Sequence, residues 1–227
     1  MGFLVRVFAL AIGYAFGILQ TGYIYGKMQG VDIRQHGSGN TGATNSLRTF
    51  GWKGGIITFA GDCLKTVLAM FVAAFLLEGF YMADVVVIEL YAGLGAVLGH
   101  NFPFYLKFKG GKGIACTAGV AFVVCPAAVP VCLTVFILCL ALSQYVSLGS
   151  ILMALLFIIQ VFIFNGYGIL GVYGSDAVEF NILAFVLGAM AIIRHKDNIV
   201  RLIKGTENKI GKKPELAAQE TEQKEEQ

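Results

Sequence analysis

Charge is what this chain has least of. Asp, Glu, Lys and Arg make up 14% of its 227 residues, and none of them occurs between Lys112 and Asp176. Soluble domains carry about 25%. With hydrophobic residues at 57%, a soluble globular fold is excluded and the long apolar runs read as membrane spans. CxxC spacing is also missing. Cys63, Cys116, Cys125, Cys132 and Cys139 lie in or beside apolar runs, so no disulfide framework, zinc site or other metal is expected, and small buried hydrophobes is the better reading. The first apolar run has no A-x-A-like cleavage site and is long enough to span, so no signal peptide is set aside.

What is present is glycine and base, concentrated in a few polar stretches. Residues 99–119, GHNFPFYLKFKGGKGIACTAG, place His100, Lys109, Lys112, Gly110, Gly111 and Gly113 between two apolar runs. Glycines let backbone N–H groups converge on an oxyanion, Lys supplies countercharge, and the run opened by Gly113 would turn its first free N–H groups to the same ligand. It is not a P-loop, because Gly113 stands where a Ser or Thr would follow Lys112. A basic loop that only enforces topology is the plain alternative. Residues 36–51, HGSGNTGATNSLRTFG, form a second cluster with Ser38, Gly39, Asn40, Thr41, Gly42, Asn45 and Arg48. Gly, Asn and Thr interleaved this densely and ending in Arg read as a second oxyanion cradle.

In chain order, spans are expected at residues 3–24, 54–77, 85–98, 148–164 and 179–193, with Arg6 snorkelling from the first. Polar loops are expected at 25–53, 99–113, 143–150 and 194–209. Asp62 and Lys65, three apart in the second span, imply a paired, inward-facing role, structural or catalytic, with a structural one the better reading. A short acidic turn holds Glu78 and Asp84. The uncharged stretch 114–142 would be ~43 Å of helix at ~1.5 Å per residue, too long for one crossing of a ~30 Å core and too short for two full ones. Pro126 and Pro130 mark its bend. The tail after Pro214 is rich in Glu and Gln and reads as disordered, leaving residues 1–210 as the membrane domain.

Lys and Arg number four in 25–53, three in the central loop and eight after residue 193, against Arg6 alone on the other side. The positive-inside rule then puts the N-terminus outside and the basic stretches and C-terminus in the cytoplasm. The expectation is an all-α integral membrane protein of about seven transmembrane helices, or five plus a hairpin.

Taken together, GSGNTGATNSLRTFGWKGG (37–55), GHNFPFYLKFKGGKG (99–113), YVSLGS (145–150) and RHKDNIVRLIKGTENK (194–209) resemble the bacterial acyl-phosphate:glycerol-3-phosphate acyltransferase family. Two departures from the family pattern, Thr66 after Lys65 and Gln20-Thr21 at the end of the first helix, concern packing. The resemblance implies transfer of a fatty acyl chain from acyl phosphate to the 1-hydroxyl of glycerol 3-phosphate, giving lysophosphatidic acid and phosphate without a cofactor. It also implies a site at the cytoplasmic face of the bacterial cell membrane. Membrane lipid and the enzyme that makes acyl phosphate are the further partners expected, and nucleic acid is not one. Acyl phosphate is already activated, so no Ser or Cys nucleophile is needed. The HxxxxD motif of other glycerolipid acyltransferases is missing at His36, His100 and His195.

Within that resemblance, His195, Asn198, Lys112, Arg48 and Ser38 are the expected catalytic residues, and Ser147, Ser150, Arg201 and Glu207 join the two Gly-rich clusters and His100 in binding substrate. If the last helix continues past residue 193, His195, Asn198 and Arg201 share a face. A transporter of an anionic metabolite is the competing class. It would place its site near the midplane, often with inverted repeats, whereas here the polar residues cluster on one side and no repeat is visible.

Overall fold

The computed structural model describes residues 2–80 and 85–211. Among them are nine α-helices: α1 (Gly2–Gly17), α2 (Thr21–Met28), α3 (Ala43–Leu77), α4 (Val85–Asn101), α5 (Ile114–Val124), α6 (Val129–Ser143), α7 (Val146–Gly166), α8 (Gly174–Ile193) and α9 (Lys196–Ile203). Asp84 and the tail from residue 212 lie outside the described residues.

Six helical stretches, with α1 and α2 counted as one, are long and apolar enough to cross a membrane, and α5 is a shorter apolar helix. The expected seven therefore resolve as six plus one short element of about 16 Å. The break falls at the prolines: α5 ends at Val124, residues Pro126–Ala128 form a 3₁₀ turn, and Pro130 sits in the first turn of α6, where a missing N–H costs little.

Two boundaries differ from the sequence reading. The polarity of 25–53 predicts a second span that starts at residue 54, yet α3 begins at Ala43 and runs 35 residues. That is about 52 Å, well over a ~30 Å core. Gly51, at φ 76° inside α3, bends the helix between its polar first turns and its apolar remainder, in a conformation that glycine adopts at little cost. Residues 25–53 are likewise only partly loop, since α2 runs to Met28 and Asp32 caps a 3₁₀ turn by accepting from Arg34 N at 3.1 Å.

The interior is built on α4, which is buried on most of its faces. α1 and α4 run parallel in close backbone contact. A Cβ on Gly13 would stand 1.9 Å from Ala92 O and one on Gly17 2.1 Å from Ala96 O, while from the other side Gly95 meets Leu10 O at 2.1 Å and Gly99 meets Tyr14 O at 2.4 Å. Lipid tails are as apolar as leucine, so helices in a bilayer associate through such close packing of small residues. Gly17→Leu should therefore cost at least the ~1–3 kcal/mol of overpacking, read as a lower melting temperature in detergent. An unchanged melting temperature would show that the two helices part freely.

Arg6, near the start of α1, has an ion-pair partner. It pairs with Glu179 of α8 through Nε to Oε1 at 2.5 Å and Nη2 to Oε2 at 2.6 Å, and Tyr91 of α4 donates to the same carboxylate at 2.6 Å. This closes the bundle at the N-terminal end of α1. The opposite end, where α1 breaks before α2, carries the polar stretches.

Candidate active site

At that end the last turn of α4, the first turns of α3, α5 and α7 and the corner between α8 and α9 surround two adjoining cavities of about 520 and 340 Å³. Ser38, Asn40, Lys112 and Asn198 line both. The larger one has a polar end with Arg48, Ser147, Ser150, His195 and Glu207, and an apolar extension between Ile56 and Phe59 of α3, Phe122 of α5, Phe136 of α6 and Phe157 of α7. The smaller is mostly polar and charged, with Arg194, Lys196, Asp197 and Arg201.

The third motif is not one continuous helix. α8 stops at Ile193 and α9 starts at Lys196, so His195 stands at the corner. Its Nδ1 lies 2.8 Å from Ala191 O. A carbonyl can only accept, so Nδ1 carries the proton and Nε2 is left as a bare acceptor. Burial, with the Lys112 cation adding to it, pushes the imidazole down to about 4. The ring is neutral at pH 7.

Glu207 organises the rest of this corner. Asn198 Nδ2 donates to its Oε1 at 2.8 Å and Arg201 Nε to its Oε2 at 2.7 Å, while Asn198 Oδ1 accepts from Lys112 Nζ. Burial alone would raise the Glu207 carboxyl, but the bonds from Asn198 and Arg201 outweigh it and hold it below its ordinary value. Burial pushes the Lys112 ammonium down to about 8; Glu207 pulls the other way, and Arg201, Arg48 and Arg194 add to the lowering. Glu207 and Ile210 line the larger cavity, and their segment is held by Arg48 Nη2 donating to Asn208 O at 3.1 Å and Ile210 N to Gln144 O at 2.9 Å.

The Gly-rich clusters divide into cavity walls and supports. Asn45 lines the larger cavity and also clamps the preceding loop: its Oδ1 accepts from Ser38 N at 2.8 Å and its Nδ2 donates to Ile33 O at 3.2 Å and His36 O at 3.0 Å. Asn40 Oδ1 accepts from Gly42 N at 2.9 Å, and Asn40 Nδ2 donates to Gly110 O at 3.3 Å, joining the two clusters. Gly42 caps α3, and Gly113, at φ 83°, caps α5; both line the larger cavity. Ser147 and Ser150 line it from successive turns of α7, the Ser150 hydroxyl donating to Val146 O at 2.9 Å.

Of the other expected contacts, only His100 reaches a cavity. Thr41 is buried and donates to Gln20 Oε1 at 2.7 Å. Gly39 and the exposed Lys109 line neither cavity. The N–H groups of Gly110 and Gly111 do not form an anion nest, because they bond Asn101 O at 3.2 Å and His100 O at 3.0 Å. His100 belongs to α4 rather than to a loop; it is buried in the cavity wall with Nδ1 3.0 Å from Lys65 Nζ.

Sequence reasoning passed over Arg194. Its Nη2 donates to Gly111 O at 2.9 Å and its guanidinium lies 5.0 Å from the centre of the Phe102 ring, so it holds the Lys112 loop from the α8 side. It opens the RHKDN run, and that position was the available signal. Gln20 and Thr21 also do more than pack. Gln20 Nε2 donates to His100 O at 3.0 Å and Thr21 Oγ1 to Asp62 Oδ1 at 2.9 Å.

Comparison with known proteins identifies the family. A family model described as glycerol-3-phosphate acyltransferase matches residues 7–205. A glycerol-3-phosphate acyltransferase of Alkaliphilus metalliredigens is 42% identical over 214 residues, covering 92% of this chain and 98% of the relative. The protein of that name from Clostridioides difficile is 40% identical, covering 90% and 95%. Crystal structures of PlsY (YgiH), an integral membrane glycerol 3-phosphate acyltransferase, are 33% identical. Its glycerol 3-phosphate form superposes with a TM-score of 0.77 over 91% of this chain and 96% of that one, and its lysophosphatidic acid form with 0.76.

Proposed function

This chain belongs to the glycerol-3-phosphate acyltransferase family, and from that premise we propose that it transfers a fatty acyl chain from acyl phosphate to the 1-hydroxyl of glycerol 3-phosphate, at the cytoplasmic face of a bacterial cell membrane. Residues 1–210 act as one membrane domain, and the enzyme that makes acyl phosphate is the partner that supplies the donor.

The single observation that carries the reading is the pairing of two unlike cavities across a shared polar wall. The larger has a polar head and an apolar extension between helices, matching a phosphate joined to a fatty chain. The smaller presents Arg194, Lys196 and Arg201 around a water-accessible space, matching a small phosphorylated alcohol. Ser38, Asn40, Lys112 and Asn198 stand where the two meet. There the glycerol oxygen attacks the acyl carbon, the bond from that carbon to the phosphate oxygen breaks, and phosphate leaves. The hydroxyl proton passes to His195 Nε2. Lys112 offsets negative charge on the departing phosphate, and Glu207, through Asn198 and Arg201, keeps the cationic wall in place.

The test is to supply the purified, detergent-solubilised protein with palmitoyl phosphate and labelled glycerol 3-phosphate. Labelled lysophosphatidate is expected; product from palmitoyl-CoA but not from palmitoyl phosphate would overturn the donor assignment. Arg48 provides a finer check. Its planar fork can hold two phosphate oxygens, which Lys cannot copy, and charge-assisted hydrogen bonds are worth about 1.5–3 kcal/mol. Arg48→Lys should therefore lower kcat/KM by roughly 10- to 100-fold. Near-normal constants would leave Arg48 as a point charge only.

A further inference from the structure

We infer that the buried cluster Asp62, Lys65 and His100 is a positioning unit for the acyltransferase reaction, holding the α1–α2 break and the Gly110–Gly113 turn in one arrangement and so setting where the Lys112 ammonium stands. It rests on the reading of Lys112 as a substrate-binding cation.

All three side chains are at least 94% buried, with exposures of 1%, 6% and 2%. Lys65 Nζ donates to Leu19 O at 2.5 Å and to Asp62 Oδ1 at 2.7 Å, and lies 3.0 Å from His100 Nδ1. An ammonium has three donors and no acceptor, so toward His100 Nδ1 the Lys65 Nζ can only donate. Every donor of Lys65 is thereby committed. Leu19 lies between α1 and α2, where the chain leaves one helix before the next begins. Lys65 satisfies its carbonyl, Tyr105 Oη donates to the neighbouring Ile18 O at 2.8 Å, and Thr21, the first residue of α2, bonds Asp62.

The other arm of the unit is His100. Its backbone carbonyl accepts from Gln20 Nε2 and, at 3.0 Å, from Gly111 N. Its ring lies so close under Gly111 that a Cβ there would stand 1.9 Å from Nε2. Lys112 is the next residue. The ring, fixed from below by Lys65, is the surface on which the turn carrying Lys112 rests, while Arg194 holds the same turn from above through Gly111 O.

Stability does not account for such a cluster. Buried ion pairs can often be replaced by apolar residues of similar volume at no cost, and ionisable groups inside a membrane domain are expensive. What an ammonium, a carboxylate and an imidazole add is direction: each bond fixes one backbone segment relative to another. Misplacing a group by ~1 Å can cost ~10²-fold in rate. That is the effect expected of this unit.

The experiment is a double-mutant cycle between His100→Ala and Lys112→Ala in the lysophosphatidate assay, with circular dichroism and gel filtration of each variant in detergent. His100→Ala alone should lower kcat/KM by about 10²-fold while the protein stays helical and monodisperse. In the Lys112→Ala background the same change should cost less than about threefold, because groups acting through one another are not additive. Lys65→Met, with its donors removed, should behave as His100→Ala does. If His100→Ala fails to fold, Gly111→Ala, which drives a methyl into the ring, takes its place in the cycle. Equal losses in the two backgrounds, or normal kinetics in a folded His100→Ala protein, would overturn the inference. Normal kinetics in Lys112→Ala alone would instead overturn the reading of Lys112 on which it rests.

Discussion

His195→Ala is expected to lower the turnover number by about 10²–10⁴-fold, the usual contribution of a general base. The ring is neutral at pH 7, with Nδ1–H engaged by Ala191 O and Nε2 unprotonated at the cavity wall. A base held down to about 4 is weak in the unliganded protein, and the cause matters. Burial comes first and the Lys112 cation second. A bound phosphate screens Lys112 and brings negative charge beside His195, so basicity rises when both substrates are in place. The decisive comparison is His195→Asn, which can hydrogen-bond to a hydroxyl but cannot take its proton. Turnover should stay as low as in the alanine variant. If Asn restores turnover, His195 positions substrate and a phosphate oxygen is the acceptor; if Ala leaves both kcat and KM unchanged, His195 has neither role.

Lys112→Ala is expected to lower kcat/KM for both substrates by about 10²–10³-fold, the range for removing one donor from developing negative charge. The same group predicts a pH dependence. The ammonium is held near 8 by burial and by Arg201, Arg48 and Arg194 against the pull of Glu207. It is charged below that value and loses its proton as pH rises through it. Because kcat/KM reports the free enzyme, it should fall above about pH 8 in the unsubstituted protein. Lys112→Arg, which cannot lose its charge in this range, should keep activity at pH 9 even if its maximum is lower. A high-pH fall that persists unchanged in Lys112→Arg would place the titration elsewhere.

Membrane class, helical content and the rough positions of the spans lay open in composition, because an apolar run of about twenty residues has few ways to bury its backbone other than a spanning helix. The bend at Pro126 and Pro130 was legible for the same local reason, since proline has no N–H to donate. The start of α3 was not. Residues 43–53 are polar, and polarity alone cannot distinguish a loop from polar helical turns that join an apolar helix at a bend such as Gly51.

At the site, the residue types that suit two phosphates stood in the sequence. Their division of labour did not. Ser38, Arg48, Lys112, His195 and Asn198 meet at one cavity only because the ends of α3, α4, α5 and α8 converge. The same convergence turns Thr41 inward to Gln20, spends the Gly110 and Gly111 N–H groups on the carbonyls at the end of α4, and leaves Lys109 outside. It also makes Asp62 and Lys65 of α3 and His100 of α4, the last two 35 residues apart, a single hydrogen-bonded cluster. Chemistry at a phosphate site depends on which side chains carry donors and charge, which sequence determines. Whether a given donor reaches the ligand, or is consumed in holding its neighbour, depends on distances between segments far apart in the chain, and only the packed bundle sets those.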